Sequence, residues 1–450
     1  MLADRTSPAS GIAPPASTRL IAGLVPAAVL RLAKAGDTVR LAPNHAPPCP
    51  EPLLRLETAD GVPLNSREII SAYWHRPPYA MLLRLAFYAP GSQEPEILDE
   101  AVISTQGSRD VFQARLESIA MRLVEDALQS RSRGPMGELA PRPRAGVGGW
   151  IDYLVATWQR RLLTEWWSVG LARTSLPAIV RDGKLGEVHW LRPGTGEAYH
   201  ADPFPVPGTD QVLVEEMPMR GGVGTIVALA PGQDGTFERQ RVVLDTGRHH
   251  SYPCTYQDET GTYVLPESTD LGTTMLYRLE SDGQLTPVCA IAPDRSLADP
   301  TLFRHGDRFW IACTDLAVGT HDNLCLLYAD RLEGPWLSHR CMPVKIDIAG
   351  ARPAGPLFRV GDGLFRPGQD CSRTYGGGIA IHRVETLDPE TYRETKVAVL
   401  APDPKGPFPH GLHTLAANGE RVWVDGKRFV LDVPGAFRKL RRRIGGGTQA

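Results

Sequence analysis

Three acids stand where the chain can do proton chemistry. Asp202 lies in His200-Ala-Asp-Pro-Phe204, Asp299 in Leu297-Ala-Asp-Pro-Thr301, and Glu267 in Val264-Leu-Pro-Glu-Ser268. A carboxylate that takes a proton or attacks, beside a carboxylic acid that gives one, suits a reaction through a cationic transition state. Glu267 follows Pro266 at the end of a strand-like run, where partial desolvation would keep it protonated near neutral pH; it is the candidate acid. His200, His250, Tyr252 and Arg352 recur at comparable places and are candidate ligand contacts. Of the adjacent His249 and His250, at most one can face a common site, because neighbours on a strand point to opposite faces.

A repeat is needed to bring these residues together. Five openings, His200 to Phe204, His250 to Cys254, Leu297 to Thr301, Arg352 to Pro356 and His410 to Thr414, follow one another at about 50 residues. Each leads through a turn to a partner strand: Val212 to Glu216, Thr262 to Glu267, Arg308 to Thr314, Gly363 to Arg366 and Arg421 to Asp425. That period suits propeller blades of four strands, whose innermost strands line one axis. The fold expected is therefore mainly β, a five-bladed β-propeller over 173–436 that carries the polar openings to one end of its axis. Proline at a first strand position is tolerated, which explains the prolines but not the Asp, His and Arg before them.

Ahead of the propeller, 1–17 read as a disordered leader and 18–129 as a small α/β region. Strands are predicted at Leu53 to Glu57 and Met81 to Tyr88, and helices at Arg67 to His75 and Asp110 to Leu128, the latter with Val111, Leu116, Ile119, Leu123 and Leu128 inward. Residues 130–149 form a linker, and 150–172 one long docking helix whose Trp158, Trp166 and Trp167 pack against a neighbour. Residues 437–450 are a basic tail.

With 49 Lys and Arg against 51 Asp and Glu, the net charge of −2 makes no case for a nucleic-acid or anionic-membrane partner. Seven cysteines without a Cys-x-x-Cys pair suggest neither a disulfide framework nor a zinc knuckle, and point to a reducing, cytoplasmic location. Leu20 to Leu32 is broken by Pro26 and too short to span a bilayer, so no signal peptide, anchor or membrane span is expected.

The ordered motifs His200 to Phe204, His250 to Pro253, Val264 to Ser268, Ala298 to Pro300, Ala351 to Gly355 and Arg366 to Ser372, with Tyr375-Gly376, resemble the N-terminal domain of glucosamine inositolphosphorylceramide transferases. The resemblance covers residues from about Trp150 to Phe429, and its wider kinship is with propeller glycoside hydrolases of families 43, 32 and 68. It implies Asp202 as base or nucleophile and Asp299 as a carboxylate that orients substrate or tunes a neighbour. Gln369 and Asp370 would meet sugar hydroxyls. His410 or His413 would reach a central divalent cation such as Ca2+, an alternative weighed equally with a hydrogen-bonded histidine in the channel. Some bacterial relatives carry a formyltransferase-type N-terminal part; no Asn-x-His occurs between Leu20 and Leu128, so such a region here would be degenerate.

Two positions depart from family 43. Ser251-Tyr252 and Arg352 stand where Asp and Glu are usual. Arginine donates no proton and lowers neighbouring carboxyl pKa values, but it holds a phosphate or carboxylate with two prongs. With Arg366 and Arg373 nearby in sequence, it points to an anionic sugar or sugar phosphate. The function expected is a carbohydrate-active enzyme acting, by hydrolysis or transfer, on a glycosidic bond of a cell-surface or lipid-linked saccharide. The alternatives are a non-catalytic glycan-binding or scaffold module among polysaccharide biosynthesis proteins, and a transferase using an activated sugar donor.

Overall fold

The computed structural model describes residues 28–31, 38–41, 48, 50, 52–64, 66–129, 131–136, 149–191, 197–219, 222–232, 237–268 and 272–431. The leader 1–17, most of the linker 130–149 and the tail 437–450 lie outside the described residues. The chain divides into two compact units.

The smaller, N-terminal unit is built on a five-stranded sheet in sequence order: Ala28–Arg31, Thr38–Leu41, Leu53–Thr58, Ala80–Tyr88 and Glu96–Ser104. Helices Ser66–Tyr73 and Arg109–Leu128 accompany it. Ser108 caps the longer helix by accepting the Val111 N–H at 3.3 Å. Its buried line is Phe112, Leu116, Ile119 and Leu123, spaced by four and three residues. Val111, expected inward, is one step off that line and 49% exposed.

The larger unit is a succession of antiparallel sheets that follows the sequence period. The first holds Ala198–Pro205, Val212–Pro218, Thr225–Pro231 and Phe237–Leu244; the second Ser251–Asp258, Gly261–Glu267, Thr274–Leu279 and Leu285–Ile291. The third holds Leu297–His305, Arg308–Asp315, Asn323–Ala329 and Leu337–Ser338, with Lys345–Ile346 on its third strand. The fourth holds Phe358–Val360, Gly363–Gln369, Ile379–Leu387 and Tyr392–Leu400. Chain neighbours pair in each, because tight turns join them. The fifth differs: Leu415–Asn418 and Arg421–Leu431 are completed by Leu163–Ala172 and Val188–Trp190 from the other end of the unit.

That pairing corrects the expected docking helix. Only Trp150–Leu162 is helical; Leu163–Ala172 is a strand paired residue by residue with Arg421–Leu431. Trp167 is buried on that strand, whereas Trp158 on the helix is 58% exposed rather than packed.

Apolar cores lie between successive sheets. Leu302 and Ile311 of the third sheet pack with Leu265 and Leu276 of the second, and Val169 and Trp423 of the fifth pack with Val212 and Val227 of the first. Burial of these side chains is the main force holding sheet to sheet.

Candidate functional site

The openings of the first three sheets share a backbone irregularity. Asp202, Tyr252 and Asp299 each precede a proline and have φ of 52°, 46° and 48°. The ladder register shifts at the same places, between Ala201 and Phe204, Ser251 and Cys254, and Ala298 and Thr301. In the fourth, Gly355 before Pro356 has φ of 125°. A left-handed non-glycine residue costs about 1–3 kcal/mol and persists only where its surroundings impose it. Here each bulge turns an N–H toward an acid of the preceding sheet. Asp202 N donates to Asp425 Oδ2 at 3.1 Å, Tyr252 N to Asp202 Oδ2 at 3.1 Å, and Asp299 N to Glu267 Oε2 at 2.9 Å. The strained residues thereby tie the fifth sheet to the first, the first to the second and the second to the third.

Two cation–carboxylate pairs are fixed among these groups. Arg352 grips Asp299 with Nε at 2.5 Å and Nη2 at 3.2 Å, and lies 3.7 Å from Glu267. His413 Nδ1 stands 2.5 Å from Asp425 Oδ2, its ring stacked 3.9 Å from Trp167. Burial works against the imidazolium, yet Asp425 and then Asp202 hold the His413 pKa up at about 9. Burial likewise opposes the Asp425 charge, and His413 overcomes it, keeping that pKa below its ordinary value.

The remaining carboxyls behave differently. Burial pushes Asp202 up to about 6 despite His413, which pulls it down. Burial and then the Asp299 charge push Glu267 up to about 8, with Arg352 opposing. Burial also holds Glu215 well above the usual carboxylic range, and Asp202 adds to the shift. Of these buried carboxyls, Asp202 is ionised at neutral pH, whereas Glu267 holds its proton.

Asp202, His413 and Asp425 bring ligand atoms within 4.8 Å of one another, which raises the question of a metal. Asp425 Oδ1 already accepts the His413 and Thr414 N–H groups, and Oδ2 the Asp202 N–H and the His413 ring. Asp202 Oδ1 accepts the Thr414 hydroxyl at 2.6 Å. A protonated imidazole ligates nothing, and Ca2+ takes about six to eight oxygens. As arranged, the trio is an ion-paired hydrogen-bond cluster and does not fit that cation.

The structure thus gathers Asp202, Glu267, Asp299, Arg352, Gln369 and His413. Gln369 is fully buried, donating to Asp299 Oδ2 at 2.6 Å and to the Pro353 carbonyl. Tyr252 contributes its N–H, while its hydroxyl is engaged by Thr301 and the Gly355 N–H. The other candidates fall elsewhere. His250 is enclosed between Thr246 and Ser268, and it is His249 that approaches Glu215, at 3.7 Å. His200 pairs with Glu216 at 3.1 Å, Asp370 accepts the Ser372 N–H in a turn, and exposed His410 accepts the Phe429 N–H. Arg366 is bound to Glu394 in a separate buried cluster with Lys345 and His382. Arg352, read as an anion holder, spends its remaining nitrogen on the Thr320 carbonyl and His321, because Asp299 takes the other two. Asp425, Glu215, Trp167 and Tyr375 join the site unforeseen, Tyr375 lying over Arg352 at 5.0 Å. A signal existed: the second strands carry Glu215-Glu216, Glu267, Asp315, Gln369 and Asp425, a recurring acid or amide.

Comparison with known proteins bears on this same segment. Residues 199–408 match the family model for "Glucosamine inositolphosphorylceramide transferase 1, N-terminal". The chain is 32% identical over 184 residues to glucosamine inositolphosphorylceramide transferase 1 of Oryza sativa subsp. indica, covering 40% of this chain and 24% of that protein. It is 30% identical over 215 residues to the protein of the same name from Arabidopsis thaliana, covering 45% and 28%. The match therefore spans about a quarter of the length of these relatives. Among solved structures, a thermostable family-43 glycoside hydrolase is similar over 49% of this chain and 85% of that one, at 12% identity and a TM-score of 0.38. The family 117 glycoside hydrolase Zg3597 of Zobellia galactanivorans is similar over 58% and 91%, at 11% identity and a TM-score of 0.40. The likeness read from the order of the motifs is borne out for residues 199–408, the stretch that matches that family model.

Proposed function

We propose that the five sheets close into a five-bladed propeller whose axial end acts on a glycosidic bond of a cell-surface or lipid-linked saccharide. A saccharide ligand is supported by the family match over 199–408, named for glucosamine transfer. The observation that carries the chemistry is the separation of two buried acids from adjoining sheets, Asp202 at about 6 and Glu267 at about 8. Groups whose surroundings drive their pKa values apart can serve as base and acid in one reaction. Glu267 gives its proton to the leaving oxygen. Asp202, held by the Tyr252 N–H and the Thr414 hydroxyl, attacks the anomeric carbon or activates a water. Asp299, locked to Arg352, supplies a fixed negative charge that helps keep Glu267 protonated.

One observation favours the second reading, a glycan-binding module. Asp299 is fully engaged by Arg352 and Gln369, so it has little freedom to move a proton. The test is release or transfer of sugar from a panel of lipid-linked and cell-surface glycans, with binding measured in parallel. Asp202→Asn and Glu267→Gln are each expected to lower turnover about a hundredfold or more while leaving binding within a few-fold. Unchanged turnover in both variants would remove Asp202 and Glu267 from the chemistry, and binding with no turnover by the unaltered protein would leave the binding module as the function.

A further inference from the structure

We propose that Tyr199, Glu215 and Tyr375 are the groups that recognise the sugar at the axial site, and that the sugar they take is uncharged. The inference rests on the saccharide reading above and deepens it. Most polar groups gathered there are saturated by the protein itself. Asp299 is spent on Arg352 and Gln369, Asp425 on His413, Thr414 and the Asp202 N–H, and the Tyr252 hydroxyl on Thr301 and the Gly355 N–H. By contrast, the carboxyl of Glu215 and the hydroxyls of Tyr199 and Tyr375 make no hydrogen bond among the described residues. Glu215 is only 8% exposed. Buried polar groups are nearly always hydrogen-bonded, and one that the protein leaves without a bond is placed to receive a partner from outside it.

Strand pairing sets two of the three side by side. Ala201 stands opposite Glu215 and Tyr199 opposite Met217, so Tyr199 and Glu215 share one face of the first sheet, next to the bulge at Asp202. His200 and Glu216 pair on the other face. Gly224 leaves room for the acid, since a Cβ there would lie 2.6 Å from Glu215 Oε1. The Tyr375 ring is held by Arg352 at 5.0 Å, His321 at 5.2 Å and His413 at 5.3 Å, while its hydroxyl stays unbonded. Burial raises the pKa of all three groups and the Asp202 charge adds to each shift, in keeping with their place around that acid.

Charge decides the class of sugar. Arg352 spends its nitrogens on Asp299, the Thr320 carbonyl and His321; His413 is paired with Asp425; and Lys427 donates to Glu165 and Thr374. A phosphate or carboxylate beside Asp202 would meet a like charge with these cations already committed, which is costly in a desolvated site. Sugar hydroxyls suit the free groups, because a phenol and a neutral carboxylic acid each give and accept a hydrogen bond.

The test is saturation-transfer NMR on the full chain with the methyl glycosides of glucose, galactose, mannose and N-acetylglucosamine, against glucuronic acid and glucose 6-phosphate. At least one neutral glycoside is expected to bind, and neither anion to displace it. Tyr199→Phe, Tyr375→Phe and Glu215→Met should each weaken binding about three- to tenfold. Glu215→Gln, which keeps a donor and an acceptor, should hold it within about twofold. Urea midpoints of both Phe variants are expected not to fall, because no bond within the protein is lost, and either variant alone reads the proposal if Glu215→Met fails to fold. No binding by any neutral glycoside, equal binding by all the variants, or tighter binding of either anion overturns it. The expected pattern without turnover removes the catalytic reading and leaves this one standing. Turnover lost in Asp202→Asn and Glu267→Gln, with binding untouched in Tyr199→Phe, Tyr375→Phe and Glu215→Met, does the reverse.

Discussion

Glu267 and His413 are both buried a few ångströms from acids, and both have raised pKa values, so the stabilisation each gives is lost as pH rises. Glu267 has its pKa raised from 4.5 to about 8, so the folded state holds a proton that the unfolded chain releases. Its contribution is complete below 4.5 and is lost as pH rises through about 8. Glu267→Gln keeps the acceptor for the Asp299 N–H and removes the titration. Urea unfolding at a series of pH values should therefore show the variant gaining on the unaltered protein between those limits, on the order of a few kcal/mol. Parallel stability curves across that window would contradict a buried neutral acid. His413, raised from 6.5 to about 9, also stabilises fully below its unfolded value and loses that contribution as pH climbs to its folded one. His413→Gln leaves Asp425 buried without its cation, a loss of about 3–5 kcal/mol. Denaturant midpoints should show that loss in full near pH 6 and see it shrink toward pH 9; a deficit independent of pH would mean the ion pair is not what stabilises the cluster.

The element that organises the site is the bulged strand opening, and half of it can be read directly. Asp202-Pro203, Tyr252-Pro253 and Asp299-Pro300 announce a strand start that cannot use the proline nitrogen, but not the left-handed residue that aims the N–H sideways. Tyr252 shows what such an opening holds together. Its hydroxyl joins Thr301 of the third sheet to the Gly355 N–H before the fourth. Tyr252→Phe strands that buried N–H and is expected to cost about 1–3 kcal/mol in the urea midpoint at unchanged secondary structure. No change would show that water or a shifted backbone replaces the bond. Other elements were hidden because their partners lie far along the chain. Leu163–Ala172 extends a helical run without a break residue, and what makes it a strand is Arg421–Leu431, over two hundred residues on. Asp425 escaped for a similar reason: it lies within the long strand Arg421–Leu431, and only the fold brings it to His413. Glu96–Ser104 reads as polar because of Asp99 and Glu100, whose charges are met by Arg133 at 2.7 Å and Arg84 at 2.6 Å.

At the scale of the whole larger unit, everything gathered at the site depends on the fifth sheet being assembled from strands that precede the first sheet and strands that follow the fourth. Leu163–Ala172 gives Arg421–Leu431 its long pairing edge; without it that strand would keep only four-residue Leu415–Asn418 beside it. The same segment inserts Val169 among Val212, Val227 and Trp423, stacks Trp167 on His413, and brings Glu165 to Lys427. Its removal therefore strips an apolar core, a ring contact and an ion-pair partner from the two sheets that flank Asp202. A chain beginning at Trp150 retains all of these, whereas one beginning at Arg173 retains none. The first is expected to unfold in a single cooperative transition with near-ultraviolet dichroism intact. The second is expected to lose that signal and bind a hydrophobic dye, as packing fails while strands persist. That pairing joins segments more than two hundred residues apart, which makes folding slow and leaves strand edges open meanwhile. If the chain starting at Arg173 unfolded at the same denaturant concentration as the one starting at Trp150, the sheets would be holding together without that pairing, and the closed propeller and axial site proposed above would have to be abandoned.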